Sequence, residues 1–206
     1  MKNKIIILIM SLMLSACGKE EVYNVIETPK LEDGVTRLVD EVNANRQMTG
    51  KPKLSPGLSC SLYLNLSNTL TAFPTSLPSS SLNYTHVGEI NQPDSSVSLG
   101  LNILPASVRT LYTQWFAVRC SGVILIEEPN IYSFELRSDD AGLLYINNSL
   151  VVDNNGLHAP ITKAGYRQLG RGEHTIRVDY LQGPGGQQAL VLMRNGKVVP
   201  SNILWR

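Results

Sequence analysis

YSFELRSDDAGLLYINNSLVVDNNG, residues 132–156, is the stretch on which the fold is read. Its first half alternates, with Tyr132, Phe134 and Leu136 on one side and Ser133, Glu135 and Arg137 on the other. That period predicts a β-strand with one buried face. LLYI and SLVVD then flank Asn147 and Asn148, residues that tolerate positive φ, so a tight hairpin is expected. Between strand and hairpin stand Asp139 and Asp140. Adjacent carboxylates repel unless something positive sits between them, so the pair marks a candidate cation site. The plainer alternative is a turn in which each Asp bonds its own backbone.

Outward from this unit the pattern stays β. LSCSLYLNL places Leu58, Cys60, Leu62, Leu64 and Leu66 on one face. LYTQWFAVRCSGVILI supplies one or two strands, and HTIRVDYL another, with Ile176, Val178 and Tyr180 inward. ALVLM follows a glycine-rich loop, and Asn195-Gly196 is the strongest hairpin signal in the chain. Residues 82–110 are ambiguous, with turn signals at NQPDSS. Short strands with turns at this spacing predict an all-β domain, an antiparallel β-sandwich or barrel, over residues 56–206. Trp115, Phe116 and Tyr132 are expected in its core.

Before Pro56 the composition changes. Residues 17–55 are polar and read as a mostly unstructured tether, with a short helix from about Val35 to Asn45, where Val35, Leu38, Val39 and Val42 recur at helical spacing. TGKPKLSPG marks the boundary. Lys2, Lys4 and the apolar run IIILIMSLML read as a secretory signal over residues 1–16, the run being short for a membrane span. It ends in LSAC (14–17), which resembles the lipobox of bacterial lipoproteins. That resemblance implies cleavage before Cys17 and its acylation with palmitate-type chains, hence a lipid-anchored envelope protein. Gly18 and Lys19 follow where an inner-membrane retention Asp would stand, which favours the outer membrane.

With Cys17 lipidated, Cys60 and Cys120 remain as an even pair in an oxidising compartment, and a disulfide between them is predicted. Formal charge is +1 with basic residues dispersed, which argues against nucleic acid as partner. The chain lacks G-x-S-x-G, H-E-x-x-H and a Cys–His pair with a spare thiol, so it is read as a non-enzyme. Asp139 and Asp140 project from one turn and do not suit glycoside hydrolysis, whose two carboxylates lie about 5 Å or more apart across a bond. Asp153 and Asn154 are either a further ligand or site orienter, or a turn cap. His158 and His174 belong to no nucleophile pattern.

An ordered set of motifs resembles the PA-fourteen domain family of toxin and adhesin β-domains. It comprises Gly57-Leu58 with Tyr63, FAVRCSG (116–122), YSFELRSDD (132–140), LYI (144–146), VVDN (151–154) with His158, GEHTIRVDY (172–180) and VPSNIL (199–204). The resemblance implies a β-sandwich or barrel. In sugar-binding members the aspartate pair forms a cis peptide and holds Ca²⁺, which coordinates sugar hydroxyls. Carried over by position, Asp139 and Asp140 match that pair, and QGPGGQ (182–187) is the second loop, with Gln182 where an Asn ligand stands. Ca²⁺ is thus expected on Asp139, Asp140 and Gln182, with Gly183 and Gly185 beside the ligand. Ala141 replaces a Gly, and Asn155 replaces an aromatic. The resemblance implies a glycan-binding lectin or adhesin. The other reading is a scaffold that binds an envelope protein without metal.

Overall fold

The computed structural model describes residues 33–96 and 100–206. Cys17 and the expected signal segment lie outside the described residues, as does the tether up to residue 32. Among the described residues one α-helix, twelve strands and a short 3-10 helix (Ser201–Ile203) follow: α1 (Asp33–Met48), β1 (Leu58–Tyr63), β2 (Leu82–His86), β3 (Asn91–Ser96), β4 (Phe116–Ile126), β5 (Asn130–Asp139), β6 (Ala141–Ile146), β7 (Ser149–Asn154), β8 (Ile161–Leu169), β9 (Gly172–Gln182), β10 (Gln187–Arg194), β11 (Lys197–Val198) and β12 (Leu204–Trp205).

Two antiparallel sheets result, as the alternation predicts. The first runs β2-β1-β4-β9-β6-β7, with β12 also pairing β4. The second runs β11-β10-β5-β8, with β3 also pairing β10. Apolar residues spaced by two turn inward from both sheets. Leu58, Cys60 and Leu62 meet Phe134, Leu136, Ile176, Val178, Tyr180, Leu190 and Leu192 in one buried cluster. Burying each such side chain contributes about 1.5–3 kcal/mol, which makes this interior the main source of cohesion.

Cys60 faces Cys120 in the β1–β4 register, their Cα atoms 4.1 Å apart, and the two are joined as a disulfide. Asn147 and Asn148 turn with φ of 50° and 61°, and Asn195-Gly196 with 52° and 71°, so both expected hairpins close with both central residues left-handed.

Four elements differ from the expectation. NQPDSS is strand β3 at the rim of β10, where Pro93 is tolerated because an edge strand need not donate on both sides. ITKAGYRQL forms β8, a mostly exposed edge strand without an alternating apolar signal. Trp115 is half-buried with φ of 55° and sits outside the core, because the chain turns there to enter β4. The glycine-rich loop after β9, whose plain reading is a hairpin loop, instead connects the two sheets.

From residue 33 the expected tether is folded against the β-domain. Leu38 and Val42 are buried with Leu54 in the same cluster as the sheets, because the apolar stripe of α1 supplies a face to cover. Gly50, with φ of 71°, ends the helix, and Lys51 N–H returns to the Arg46 carbonyl at 2.8 Å. Arg46 pairs with Glu173 at 2.7 Å and Arg171 with Glu41 at 2.6 Å, so the helix sits at the end of the sheets where β9 begins. Among the described residues, no helix is long and apolar enough to cross a membrane.

Candidate functional site

Three connections between the sheets converge at the opposite end. β5 of one sheet becomes β6 of the other across Asp139-Asp140 alone. Register shows how abrupt this is: Asp139 faces Ala189 of β10, whereas Ala141 faces Leu181 of β9. Residues 155–160 carry the chain from β7 to β8, and residues 183–186 carry it from β9 to β10. The Asp139–Asp140 peptide bond is cis.

Asp140 ties the three crossings together. Its Oδ1 accepts from His158 N–H at 3.0 Å, and its Oδ2 from Gly183 N–H at 2.7 Å. A backbone N–H from each of the other two loops therefore ends on one carboxylate. Burial pushes the Asp140 carboxyl above the usual range, and these two hydrogen bonds oppose that rise.

Asp139 is different. Only 7% of it is exposed, yet its carboxylate accepts no hydrogen bond from the described residues. Burial, and then the neighbouring Asp140, raise its pKa to about 6. Both aspartates line an open cavity of about 330 Å³, with Leu157, His158, Pro184, Gly185 and Gln187 among its walls.

Gln182 reaches the pair from behind. It is fully buried; its Nε2 donates to the Gln187 carbonyl at 3.1 Å, and its Oε1 meets the Tyr180 hydroxyl. The same hydroxyl meets the Asp139 carbonyl oxygen. Gln182 is thus linked to Asp139 through Tyr180 and does not itself line the cavity, whereas Pro184, Gly185 and Gly186 of the following loop do. The Gly183 N–H serves Asp140, and Gly185, with φ of 127°, lines the opening.

The two alternatives for Asp153 and Asn154 resolve separately. Asp153 caps the Asn155 N–H at 3.1 Å. Asn154 is fully buried, and its amide donates to Ser138 Oγ at 2.8 Å and the Ile161 carbonyl at 3.0 Å, which braces the end of β5 beside Asp139. The imidazole of His158 bonds its own loop, at the Asn154 and Ala159 carbonyls, so its backbone contributes to the site. Sequence reading did not assign the 155–160 loop to the site; the Gly156 and Pro160 that bracket it were the available signal.

No group of three or more His, Cys, Asp or Glu side chains capable of sharing a metal occurs among the described residues. A cation here would rest on two carboxylates, with carbonyl or water oxygens completing its shell. That donor set suits a hard ion such as Ca²⁺, which takes six to eight oxygens, and not Zn²⁺.

Residues 110–201 match the model of the PA14 domain family. Among solved structures, the chain is similar to the PA14 domain of the antifreeze protein MpAFP, with a TM-score of 0.57 and 17% identity over 75% of this chain and 92% of that one. It is also similar to a PA14 sugar-binding domain from an RTX adhesin, with a TM-score of 0.55 and 19% identity over 72% and 97% of the two chains. An anti-sigma factor domain-containing protein gives a TM-score of 0.55 and 18% identity over 73% of this chain; the match spans about half (48%) of that protein. At such identities the likeness speaks for the fold. No curated protein sequence matches the chain.

Proposed function

We propose, on the premise that residues 110–201 of this chain form a PA14 domain, that it is a glycan-binding lectin or adhesin held at the cell envelope by a lipid on Cys17. The observation that carries the reading is the Asp139 carboxylate. It is almost enclosed, adjacent to a second carboxylate, without a donor among the described residues, and it lines an open cavity. An enclosed anion is costly unless it is neutralised, and a cation entering from the cavity neutralises it.

Ca²⁺ fits this donor set. Asp139 and Asp140 would hold it, with carbonyls of residues 183–186 as further oxygen donors and Gln182 steadying Asp139 through Tyr180. A bound ion would supply sites for vicinal sugar hydroxyls. The chain's own part is positional: Asp140 fixes the 155–160 and 183–186 loops, and Asn154 braces β5. The sugar-binding PA14 domain among the similar structures supports the carbohydrate class. Nothing in this arrangement calls for a catalytic residue. The outer membrane remains the favoured location, on Gly18 and Lys19.

A glycan array probed with and without chelator tests the proposal. Binding that is lost in chelator and in Asp139→Asn/Asp140→Asn is expected. Chelator-insensitive binding removes Ca²⁺ from the mechanism. A blank array, together with a stoichiometric protein partner that the double variant still retains, replaces the lectin with a scaffold.

A further inference from the structure

The outer face of the first sheet carries a second polar groove, three residues along β6 from the aspartate pair. Two neighbouring rows of side chains cross it. In one, Arg119 of β4 faces Asp179 of β9, then Leu143 of β6, then Asp153 of β7. In the next, Arg177 of β9 faces Tyr145 of β6, which faces Leu150 of β7. The loop between β1 and β2 folds over one side and sets Phe73 against Arg119, whose guanidinium lies 5.6 Å from the ring centroid. The rows and the loop enclose a cavity of about 340 Å³.

The charges in this groove are unequal in a useful way. Asp179 is 1% exposed, and both its oxygens are engaged by Arg119, Nε at 2.7 Å and Nη2 at 2.9 Å. One carboxylate is thereby matched to one guanidinium. Arg177 lies across the same carboxylate at 3.3 Å through Nε and stacks on Tyr145 at 3.7 Å from its centroid. Its Nη1 and Nη2 donate to no protein group among the described residues. The positive charge of Arg177 therefore has only a share in an already satisfied anion. Its planar fork is held flat by the Tyr145 ring, ready for a bidentate acceptor. Beside it lie the half-exposed Leu150, the edge of the otherwise buried Phe73, and an exposed carboxylate at Asp153.

We infer that this groove is a metal-independent subsite for a carboxylate-bearing sugar, a uronic acid residue. The sugar carboxylate accepts from Nη1 and Nη2 of Arg177. The apolar face of its ring lies on Leu150, and Asp153 accepts from a hydroxyl. A neutral hexose lacks the group that pairs Arg177, and a small carboxylate lacks the ring and the hydroxyls. The inference extends the carbohydrate reading above to another surface and a defined sugar class, and does not require Ca²⁺.

The test is an NMR titration of the purified protein in excess chelator, following the Arg177 Nε–H resonance and the Tyr145 ring signals, with sodium glucuronate, glucose and sodium acetate as parallel probes. Glucuronate should shift that resonance saturably, at least tenfold more tightly than either of the others. The response should persist in Asp139→Asn, and the accompanying glucuronate-induced shift of the Tyr145 ring should disappear in Arg177→Gln. Because the wild-type titration alone decides the matter, misfolding of Arg177→Gln would not leave it open. Absence of a saturable shift overturns the inference, as does glucose or acetate binding as tightly as glucuronate. Working in chelator keeps this outcome separate from the fate of the Ca²⁺ reading, which the array with Ca²⁺ present decides.

Discussion

At the scale of single residues, the site is a division of labour between two adjacent aspartates. Asp140 holds loops through two backbone donors, and Asp139 is left facing the cavity. The raised pKa of Asp139, about 6, has a definite sign. The folded state holds this proton more tightly than the unfolded chain does, so the group favours folding at low pH. That contribution is lost as pH rises from about 4 through about 6. In chelator at pH 7, Asp139→Asn should therefore melt about 2–4 °C above the parent, a gain on the order of 1 kcal/mol, with the difference vanishing near pH 4. Calorimetric scans across pH check this, and an equal or lower melting point at pH 7 would refute it. With Ca²⁺ present the order should reverse, since the asparagine removes a ligand charge. Acid should weaken Ca²⁺ uptake by the parent below pH 6, where the proton competes for the same oxygen.

At the scale of elements, what could be read from the chain followed from how its residues are buried. β5 was legible because Tyr132, Phe134 and Leu136 face a core while their neighbours do not. β8 was not, because an edge strand with few buried residues leaves no apolar period, and Gly165 sits in its middle. That glycine has a reason of its own: a Cβ there would lie 1.8 Å from the Val151 carbonyl oxygen, where β7 of one sheet meets β8 of the other. Gly165→Ala should cost roughly 1–3 kcal/mol, measured by urea titration, through forced separation of those edges. The aspartate pair could be found from sequence because it interrupts a clean strand. The indirect position of Gln182 could not, since whether its amide faces the cavity or Tyr180 depends on how β9 and β10 are offset at the crossing. The disulfide is a further element-scale quantity. Cys60 and Cys120 are 60 residues apart, and closing such a loop contributes about 4 kcal/mol in the chain-entropy description. Cys60→Ala/Cys120→Ala should lower the denaturation midpoint accordingly, and a midpoint unchanged from the parent would show the crosslink to be energetically silent.

At the scale of the whole molecule, ligand binding should report on global stability, because all three loops of the site join strands of the core. An ion that binds the folded form alone adds about 2.7 kcal/mol at a concentration of 100 times its Kd. Saturating CaCl₂ should therefore raise the melting temperature of the domain by about 5–10 °C over the chelated protein. MgCl₂, which demands a tighter octahedral shell and keeps its waters, should do much less. Equal melting in Ca²⁺ and chelator would count against the site as a cation centre.

The helix and the aspartate pair sit at opposite ends of the same strands. α1 is fastened at Glu173, where β9 begins, and the site lies beyond Gln182, where it ends. Eleven residues of strand span about 36 Å at roughly 3.3 Å each. A load applied between the two ends of β9 would run lengthwise along it and its full-length partner β4. Their ladder would then be strained in shear, with many hydrogen bonds resisting at once, instead of being peeled open one rung at a time. The covalent link between β1 and β4 lies across that direction of pull. Stretched end to end, the β4–β9 pair between the helix and the aspartate pair would therefore resist as a unit.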